Sequence, residues 1–316
     1  MQFTIVGAGA LGTILGAHLV EAGHEVRMIA RGARAQALTR DGLRVTGVRE
    51  LTQPCTVAAA PEAGQDDDVL VYAVKTYHMA DALASIDGVT PRAVFSLANG
   101  VQKNEQLAGV FGTARVLGCM ANFSGELLAD GRVTFTRNVM LHLGGGGGAR
   151  ATEIAGLIDA AGIRATACAN IETVEWSKFV GWVALFALAV IARSTTGVAL
   201  DNPHFAQLGA AVIRETARIA AAREIPLVDQ SPMPVASIAG ASSRAAVALV
   251  REVGRELARS APDHRMSALQ DLEAGRRLEV HETLGYAVRE AARLGVDAPT
   301  LALCYEIGAG LDALPH

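Results

Sequence analysis

Residues 7–12 read Gly7-Ala8-Gly9-Ala10-Leu11-Gly12 and directly follow the apolar run Phe3-Thr4-Ile5-Val6. This spacing is typical of the glycine-rich turn that joins a buried strand to a helix in a doubly wound α/β domain and holds a dinucleotide pyrophosphate. The first glycine permits the tight turn, the second lets the backbone approach the phosphates, and the third lets the helix pack on the strand. Glycine is common in this chain, at 33 of 316 residues, so a purely structural turn is the alternative.

The residues after the turn favour the dinucleotide site. An amphipathic segment follows at 11–21, and after Gly23 comes a second strand-like run at 25–30. Strand, glycine turn, helix and strand in this order make up the first half of a dinucleotide-binding unit. The residues that we expect to contact the cofactor are Gly7, Gly9, Ala10, Leu11 and Gly12.

The end of the second predicted strand bears on which dinucleotide is bound. NAD-binding domains commonly carry an Asp or Glu there, about 20 residues beyond the glycines, which bonds the ribose 2′-hydroxyl. This chain has Ala30 and Arg31 instead, with Arg34 close behind. A guanidinium can pair bidentately with a 2′-phosphate that a carboxylate would repel. The prediction is therefore NADP(H), with Arg31 on the 2′-phosphate; the alternative is an arginine on a solvated basic loop.

Composition narrows the class of protein. The apolar content of 51 % and the net charge of −4 give no electrostatic reason to expect nucleic acid or an anionic membrane as a partner. The longest apolar stretch without a charge, 179–192, is shorter than the ~20 residues of a spanning helix and indicates a buried helix. The chain enters a strand at once, without a signal peptide, and its four cysteines are scattered without a CxxC pair. We expect a cytoplasmic protein without a bound metal.

Strand and helix patterns alternate in the first half of the chain and stop near residue 170. The predicted strands are 3–6, 25–30, 69–73, 93–97, 116–120, 133–136, 139–143 and a last one near 164–168. This alternation predicts an α/β fold with a Rossmann-type, doubly wound, mostly parallel sheet. We expect a dinucleotide-binding domain at 1–170 and an all-helical substrate and dimerisation domain at 171–316. The substrate is expected in the cleft between them.

Lysine is rare in this chain. The 28 basic residues comprise 25 arginines and three lysines, Lys75, Lys103 and Lys178. Burial readily lowers the pKa of a lysine ammonium group, whereas an arginine stays charged. In a chain that uses arginine for most positive charges, a lysine therefore indicates a position where a proton has to be given up. Lys75 follows a predicted strand, and Lys178 begins the apolar helix. Lys103 lies in a polar stretch that we expect to be a solvated loop.

A lysine beside a nicotinamide has a specific use. When hydride attacks a carbonyl carbon, negative charge develops on the oxygen, and a positioned ammonium stabilises that charge and then protonates the oxygen. The cofactor supplies the hydride chemistry, and the protein supplies orientation and the proton. The alternative for Lys75 and Lys178 is an ordinary position at the end of a strand or helix.

Taken together, the glycine turn, Arg31, Lys75, Asn99-Gly100 and Lys178 resemble the ketopantoate reductase (2-dehydropantoate 2-reductase) family. The resemblance runs essentially from end to end, and its most specific part lies in the second domain. There the family has a serine and a glutamate twelve residues apart that flank a Gln-Asp pair, as this chain does from Ser267 to Glu279. Without the resemblance, this stretch indicates only a charged amphipathic helix.

The resemblance implies a role for each of these residues. Lys178 would be the general acid, Glu279 would hold and polarise it, and Ser267 would bind the substrate carboxylate. Asn99 would contact nicotinamide or substrate. Two further residues would bind the cofactor, Lys75 and Arg31. A carboxylate neighbour raises the pKa of a buried ammonium, which makes the pairing of Lys178 with Glu279 chemically sensible; a structural salt bridge is the alternative.

Three positions assigned to substrate binding depart from the family pattern. The family commonly has asparagines four and eight residues after the catalytic lysine and three residues before the serine, where this chain has Trp182, Phe186 and His264. Either the helix register differs and polar groups come from elsewhere, or the pocket takes a bulkier, more apolar 2-oxo acid or ketone. The expected reaction is the NADPH-dependent reduction of a 2-oxo acid, ketopantoate first and a bulkier substrate second.

Two other classes of protein are the alternatives. β-Hydroxyacid and 6-phosphogluconate-type dehydrogenases share the two-domain plan and a catalytic lysine, but carry glycines shortly before it, and residues 171–177 contain none. An NADPH-binding sensor would need Arg31 and the glycines, but not Lys178, Ser267 and Glu279 together. An enzyme is therefore favoured. A homodimer is the expected assembly, because the apolar second domain of such proteins often buries surface between copies.

Overall fold

The computed structural model describes residues 1–61, 69–86 and 88–314, which separate into two compact units, Met1–Ile171 and Glu172–His316. The strands of the first unit are β1 (Gln2–Val6), β2 (Glu25–Ile29), β3 (Leu43–Gly47), β4 (Leu51–Gln53), β5 (Thr56–Ala58), β6 (Val69–Tyr72), β7 (Ala93–Ser96), β8 (Leu117–Leu127), β9 (Val133–Gly145) and β10 (Ala165–Ala167). Its helices are α1 (Ala10–Glu21), α2 (Gly32–Asp41), α3 (Met79–Ala84), α4 (Gln102–Phe111) and α5 (Ala149–Ala160).

The first sheet has the strand order β5-β2-β1-β6-β7, and all of its pairings are parallel. Successive residues of β6 enter different apolar clusters: Val69 and Val71 pack in one, and Leu70 and Tyr72 in the other. Because side chains alternate across a strand, both faces of this sheet are covered, as in a doubly wound domain. The predicted α/β class and its parallel sheet are confirmed.

A second sheet, which the prediction of a single sheet did not contain, combines the early strands β3 and β4 with the later strands β8, β9 and β10. Its order is β10-β9-β3-β4, with β8 paired antiparallel to β9. The two strands predicted at 133–136 and 139–143 are one continuous strand, β9. Polar residues interrupt the apolar pattern of β9, but β8 keeps pairing past them through register shifts at Asn122/Phe123 and Ser124/Gly125. Such bulges let a ladder continue where the sequence alternation breaks.

Every regular element in the described part of the second unit is a helix, which confirms the predicted helical region. The helices are α6 (Ile171–Ala192), α7 (Thr196–Asp201), α8 (Pro203–Ala222), α9 (Val235–Gly240), α10 (Ser243–Ser260), α11 (Ser267–Glu273), α12 (Leu284–Leu294) and α13 (Pro299–Asp312). Among the described residues, α6 is long and apolar enough to cross a membrane, but 78 % of its most apolar window is buried inside the protein. This burial is that of a core helix.

Candidate active site

The predicted nucleotide-site residues of the first unit follow the ends of four neighbouring strands. Arg31 comes after β2, the glycine turn after β1, Lys75 after β6 and Asn99 after β7. These strands are adjacent and parallel in the order β2-β1-β6-β7, so their carboxyl ends form one edge of the sheet. The structure therefore brings these four predicted positions to a single edge, where doubly wound domains bind their ligands.

Close backbone approach explains two of the three glycines in the turn. Gly7 has φ +109°, and a Cβ there would lie 2.7 Å from the Ala73 carbonyl oxygen, at the end of the neighbouring strand. A Cβ on Gly12 would lie 2.2 Å from the Gly7 carbonyl oxygen. The same region is joined by hydrogen bonds from Gly7 N to Ile29 O at 3.1 Å and from Ala73 N to Val6 O at 2.8 Å. Neither position accepts a side chain without movement of the backbone.

Gly9 differs from its two neighbours. A Cβ at this position would have no described atom within 4 Å, so packing inside the protein does not require glycine there. Gly9 is the N-cap of α1, makes no side-chain cap, and is followed by a first turn without an acidic residue. A bare helix N-terminus with open space in front of it binds an anion well, because its N–H groups and dipole point outward. The open N-terminus of α1 at Gly9 fits a dinucleotide pyrophosphate.

The two arginines after β2 have different environments. Arg34 is committed to the fold, since its Nε, Nη1 and Nη2 donate to Ala8 O, Gly131 O and Thr13 Oγ1, each at 2.8 Å. Arg31 is exposed, and within the described residues its one hydrogen bond runs from Nε to Ala59 O at 3.1 Å. This bond orients the guanidinium and leaves its two terminal nitrogens for a ligand.

Lys75 and Asn99 lie at the ends of the next two strands. Lys75 is half-buried and begins a short 3₁₀ turn at Thr76–His78. Asn99 is half-buried and is followed by Gly100, whose φ of +86° turns the chain sharply into α4. The backbone before Asn99 is fastened to the neighbouring strand, because Leu97 N donates to Tyr72 O at 2.8 Å. Ser96 Oγ also donates to Tyr72 O, at 3.2 Å.

The expectation that Lys103 is a solvated loop residue is wrong. Lys103 lies in the first turn of α4 and is 5 % exposed. Its Nζ donates to Ala98 O at 2.9 Å and to Cys119 O at 2.5 Å. The polar neighbours Gln102 and Asn104 belong to the start of a helix whose buried face includes this lysine, so local polarity misrepresented its environment.

Lys178 is carried by α6, the core helix of the second unit. The turn around it is anchored on both sides: Ser177 Oγ accepts from Val228 N at 2.9 Å, and Gln230 Nε2 donates to Val174 O at 2.9 Å. On the preceding turn, the Arg223 guanidinium stacks over the Trp176 ring at 5.2 Å. Lys178 itself is half-buried. A short helical segment fixed in this way holds its lysine in a defined orientation.

Glu279 is a buried carboxyl group, at 6 % exposure, between α11 and α12. Its segment is fixed by hydrogen bonds from Leu278 N to Asp312 Oδ1 at 2.6 Å and from Thr283 N to the Glu279 carbonyl at 3.0 Å. The following helix contacts α6 next to Lys178, because the Tyr286 and Phe179 rings pack edge-to-face at 5.8 Å. The helix that follows the Glu279 segment therefore packs on α6 beside Lys178.

Ser267 and His264 lie at the entry to α11. Ser267 is the first residue of this helix, which ends at Glu273, so the stretch to Glu279 is not one amphipathic helix. His264 is fastened to the start of α7, where its Nδ1 bonds Thr196 Oγ1 at 2.9 Å and its carbonyl accepts from Thr196 N at 2.9 Å. Both predicted substrate residues are half-buried.

Trp182 and Phe186 differ in exposure. Trp182 lies one helical turn beyond Lys178 and is half-buried, whereas Phe186 is 1 % exposed and packs in the core. The Trp182 Nε1 atom is buried and has no hydrogen-bond partner among the described residues. Residues four apart lie on the same helix face, so Trp182 shares a face with Lys178, and it is the less buried of the two aromatic residues.

Comparison with known proteins identifies the family. The model of ketopantoate reductase PanE/ApbA matches residues 3–148, and that of its C-terminal part matches residues 170–311. The chain belongs to the ketopantoate reductase family. A 2-dehydropantoate 2-reductase of Archaeoglobus fulgidus is 32 % identical over 93 % of this chain and 92 % of its own length. As a member of this family the chain is an oxidoreductase, which confirms the predicted enzyme class.

Solved structures support the fold of this ketopantoate reductase family member. A PanE/ApbA family ketopantoate reductase from Ralstonia eutropha is 24 % identical, with a TM-score of 0.83 over 99 % of this chain and 98 % of that one. The ternary structure of D-mandelate dehydrogenase with NADH and anilino(oxo)acetate is 19 % identical, with a TM-score of 0.84 over the same shares. At these identities the likeness establishes the shared fold.

Three contributors to the site were missed or misplaced at the level of sequence: Ser96, Arg34 and Lys103. Ser96 fastens the Asn99 loop from inside β7, and Arg34 holds the glycine turn through Ala8 O. Neither has a spacing signal, since each acts on backbone carbonyl or amide groups that only the fold brings near. Lys103 did have a signal, its rarity as one of three lysines.

Among the described residues, no group of His, Cys, Asp and Glu could hold a metal ion.

Proposed function

We propose that this protein catalyses the NADPH-dependent reduction of a 2-oxo acid to the 2-hydroxy acid, with 2-dehydropantoate as substrate and pantoate as product. The observation that carries the proposal is the buried carboxyl group of Glu279, directly before the helix whose Tyr286 packs against Phe179 beside Lys178. A carboxyl group in such a position favours the charged form of a neighbouring lysine and keeps it able to donate a proton.

The first unit supplies binding and orientation. A reduced nicotinamide dinucleotide, when bound, supplies the hydride. The open N-terminus of α1 at Gly9 would hold the pyrophosphate, and Arg31 would hold the 2′-phosphate through its terminal nitrogens. Lys75 and Asn99 would contact the remaining part of the cofactor along the same strand edge, with Asn99 next to nicotinamide or substrate.

The second unit supplies the proton. The Lys178 ammonium would stabilise the charge that develops on the substrate carbonyl oxygen and then protonate it. Glu279 would keep that ammonium charged and oriented. Ser267 would bind the substrate carboxylate, and His264 and Trp182 would face the rest of the substrate. Phe186 is 1 % exposed, and its contact with the substrate stays a prediction.

NADPH is the proposed cofactor because β2 is followed by Ala30 and Arg31, with no carboxylate to bond a free 2′-hydroxyl. NADH is the competing cofactor, since it is the one present in the D-mandelate dehydrogenase structure that shares this fold. Comparison of kcat/KM for the two nucleotides separates them.

A second substrate class, a bulkier or aromatic 2-oxo acid, is favoured by Trp182. Its ring replaces an amide one turn beyond Lys178, and it removes hydrogen-bonding capacity while adding apolar surface. The fold shared with D-mandelate dehydrogenase, solved with anilino(oxo)acetate, supports the same class. The homodimer and the cytoplasmic location expected from the sequence stay predictions.

The test is turnover of NADPH with 2-dehydropantoate and with phenylglyoxylate, followed by nucleotide absorbance, with NADH in parallel. Rapid turnover of 2-dehydropantoate supports the proposed function. Preference for phenylglyoxylate moves the assignment to the second substrate class. Binding of NADPH without turnover of any 2-oxo acid would contradict both and favour a non-catalytic nucleotide sensor.

A further inference from the structure

Lys103 places a buried ammonium group between two separate parts of the first unit. Its Nζ donates to Ala98 O in the loop after β7 and to Cys119 O in β8, which belongs to the second sheet. Hydrogen bonds from a charged donor are about twice as strong as neutral ones, and they gain further where water is excluded. Lys103 therefore links the loop after β7 to strand β8.

The residue that Lys103 holds is the one directly before Asn99. Ala98 is fixed at both ends of its own backbone, because its N–H donates to Ser96 Oγ at 3.1 Å and its carbonyl accepts from Lys103. Ser96 is in turn bonded to Tyr72 O of β6. Ser96 thus fixes the peptide plane between Leu97 and Ala98, and Lys103 fixes the next one, between Ala98 and Asn99.

The choice of lysine at this position has a steric reason. The chain uses arginine for 25 of its 28 basic residues, yet the cation here is a lysine. The ammonium is compact, and its tetrahedral donors can meet two carbonyl oxygens from different directions, whereas the planar guanidinium is larger and suits planar partners. At 5 % exposure there is little room for the larger group.

We propose that Lys103 is a positioning residue that holds Asn99 in place at the carboxyl edge of the first sheet. It acts through the Ala98 carbonyl and takes no part in hydride or proton transfer. The proposal rests on the proposed function, in which Asn99 contacts nicotinamide or substrate. It adds the third lysine of the chain to the other two as a residue of the site.

A measurement that does not depend on activity tests the tether itself. Lys103→Met keeps the unbranched shape and most of the length of the side chain and removes its donors. Hydrogen exchange of the backbone amides at 97–101 is expected to become about tenfold faster in this variant, since local opening no longer breaks two charge-assisted bonds. Arg115→Met is the matched control, because Arg115 also donates to a backbone carbonyl of α4, Phe111 O at 3.3 Å, but at the far end of the helix.

A double-mutant cycle tests the connection to Asn99. We expect Lys103→Met to lower kcat/KM by about 10- to 100-fold, as for a reacting group displaced by about 1 Å. If Lys103 acts through Asn99, the Lys103→Met/Asn99→Ala double variant has a kcat/KM within about threefold of Asn99→Ala alone. When Lys103→Met is combined with Ser267→Ala, the two fold-losses in kcat/KM are expected to multiply, because Ser267 lies in the other unit.

The outcomes separate the two proposals. Multiplicative effects of Lys103→Met and Asn99→Ala, or unchanged exchange at 97–101, would overturn the positioning role. If the wild-type protein turns over no 2-oxo acid, the proposed function fails, and the exchange measurement alone decides whether Lys103 holds the loop. Should Lys103→Met not fold, Lys103→Gln, which keeps one polar donor group, takes its place in both measurements.

Discussion

The glycine turn of the first unit is built from backbone, whereas the Lys178 and Glu279 region of the second unit is built from side chains on α6 and on the segment before α12. At the glycine turn, the decisive features are the places where a Cβ would strike a carbonyl oxygen or would enter open space. Around Lys178, they are hydrogen bonds and ring contacts that anchor α6.

This difference determines how each region responds to mutation. The glycine turn is damaged by the addition of a side chain, because its geometry is the close approach of main-chain atoms. A side-chain-built site shows the reverse, since its chemistry resides in groups that truncation removes. Nucleotide binding and turnover can therefore be damaged separately, and the predictions below use that separation.

The largest expected effect is on the second unit alone. Lys178→Ala should lower kcat by a factor on the order of 10² to 10⁴, the range for loss of a positioned general acid, while the Kd for NADPH stays nearly unchanged. Steady-state kinetics and fluorescence titration of the nucleotide measure the two quantities. A large loss of NADPH affinity would show that the two regions do not work separately.

Arg31→Ala should give the converse result in the first unit. Hydrogen bonds to a charged group contribute about 1.5–3 kcal/mol, so the Kd for NADPH should rise roughly 10- to 100-fold, and that for NADH much less. Arg34→Ala is the contrasting variant, because Arg34 bonds the glycine turn itself and its loss should weaken both nucleotides alike. Equal weakening of both nucleotides by Arg31→Ala would remove the assignment to the 2′-phosphate.

The same contrast explains what could be predicted from the sequence. The glycine turn was predictable because its backbone requirements leave a fixed spacing, and the strand ends followed from alternation of strands and helices. Glu279 and Ser267 leave no periodic signal, and only resemblance to a family pointed to them. The environment of Lys103 was missed because Ala98 and Cys119 are brought to it by the fold, not by its neighbours in sequence.

Two alanine substitutions within the turn sharpen the claim that backbone builds the first region. Gly9→Ala places a methyl group in open space, so the free energy of unfolding should be nearly unchanged while the Kd for NADPH rises about tenfold, a difference of 1.4 kcal/mol. Gly12→Ala places the methyl group against the Gly7 carbonyl oxygen. Besides raising the Kd for NADPH, it should lower the free energy of unfolding by about 1–3 kcal/mol. Denaturant unfolding and nucleotide titration of both variants check this. Unchanged NADPH affinity in Gly9→Ala would mean that the phosphates do not approach this turn.

The smallest expected effect concerns the helix that follows the turn. His18 of α1 is 1 % exposed; its Nδ1 bonds Ala161 O at 2.9 Å, and its buried Nε2 has no partner among the described residues. Because a carbonyl accepts, Nδ1 carries the proton of the neutral ring, and protonation would put a second N–H at the unpartnered nitrogen. Burial lowers the pKa of His18, the bond to Ala161 opposes this, and Arg49 adds to the lowering.

A lowered pKa in the folded state fixes the sign of the pH dependence. Below the unfolded value of about 6.5 the unfolded chain binds a proton that the folded protein resists, so stability falls as pH decreases from there. One such group contributes at most about 1.4 kcal/mol per pH unit. His18→Gln keeps a donor for Ala161 O but does not titrate, so urea unfolding at pH 7.5 and 5.0 should show a smaller difference than in the wild type. Substitution of the exposed His204 by Gln should leave that difference unchanged. If His18→Gln also leaves the difference between pH 7.5 and pH 5.0 unchanged, His18 does not contribute to the acid sensitivity of the first unit. The glycine turn is then not coupled to pH through α1.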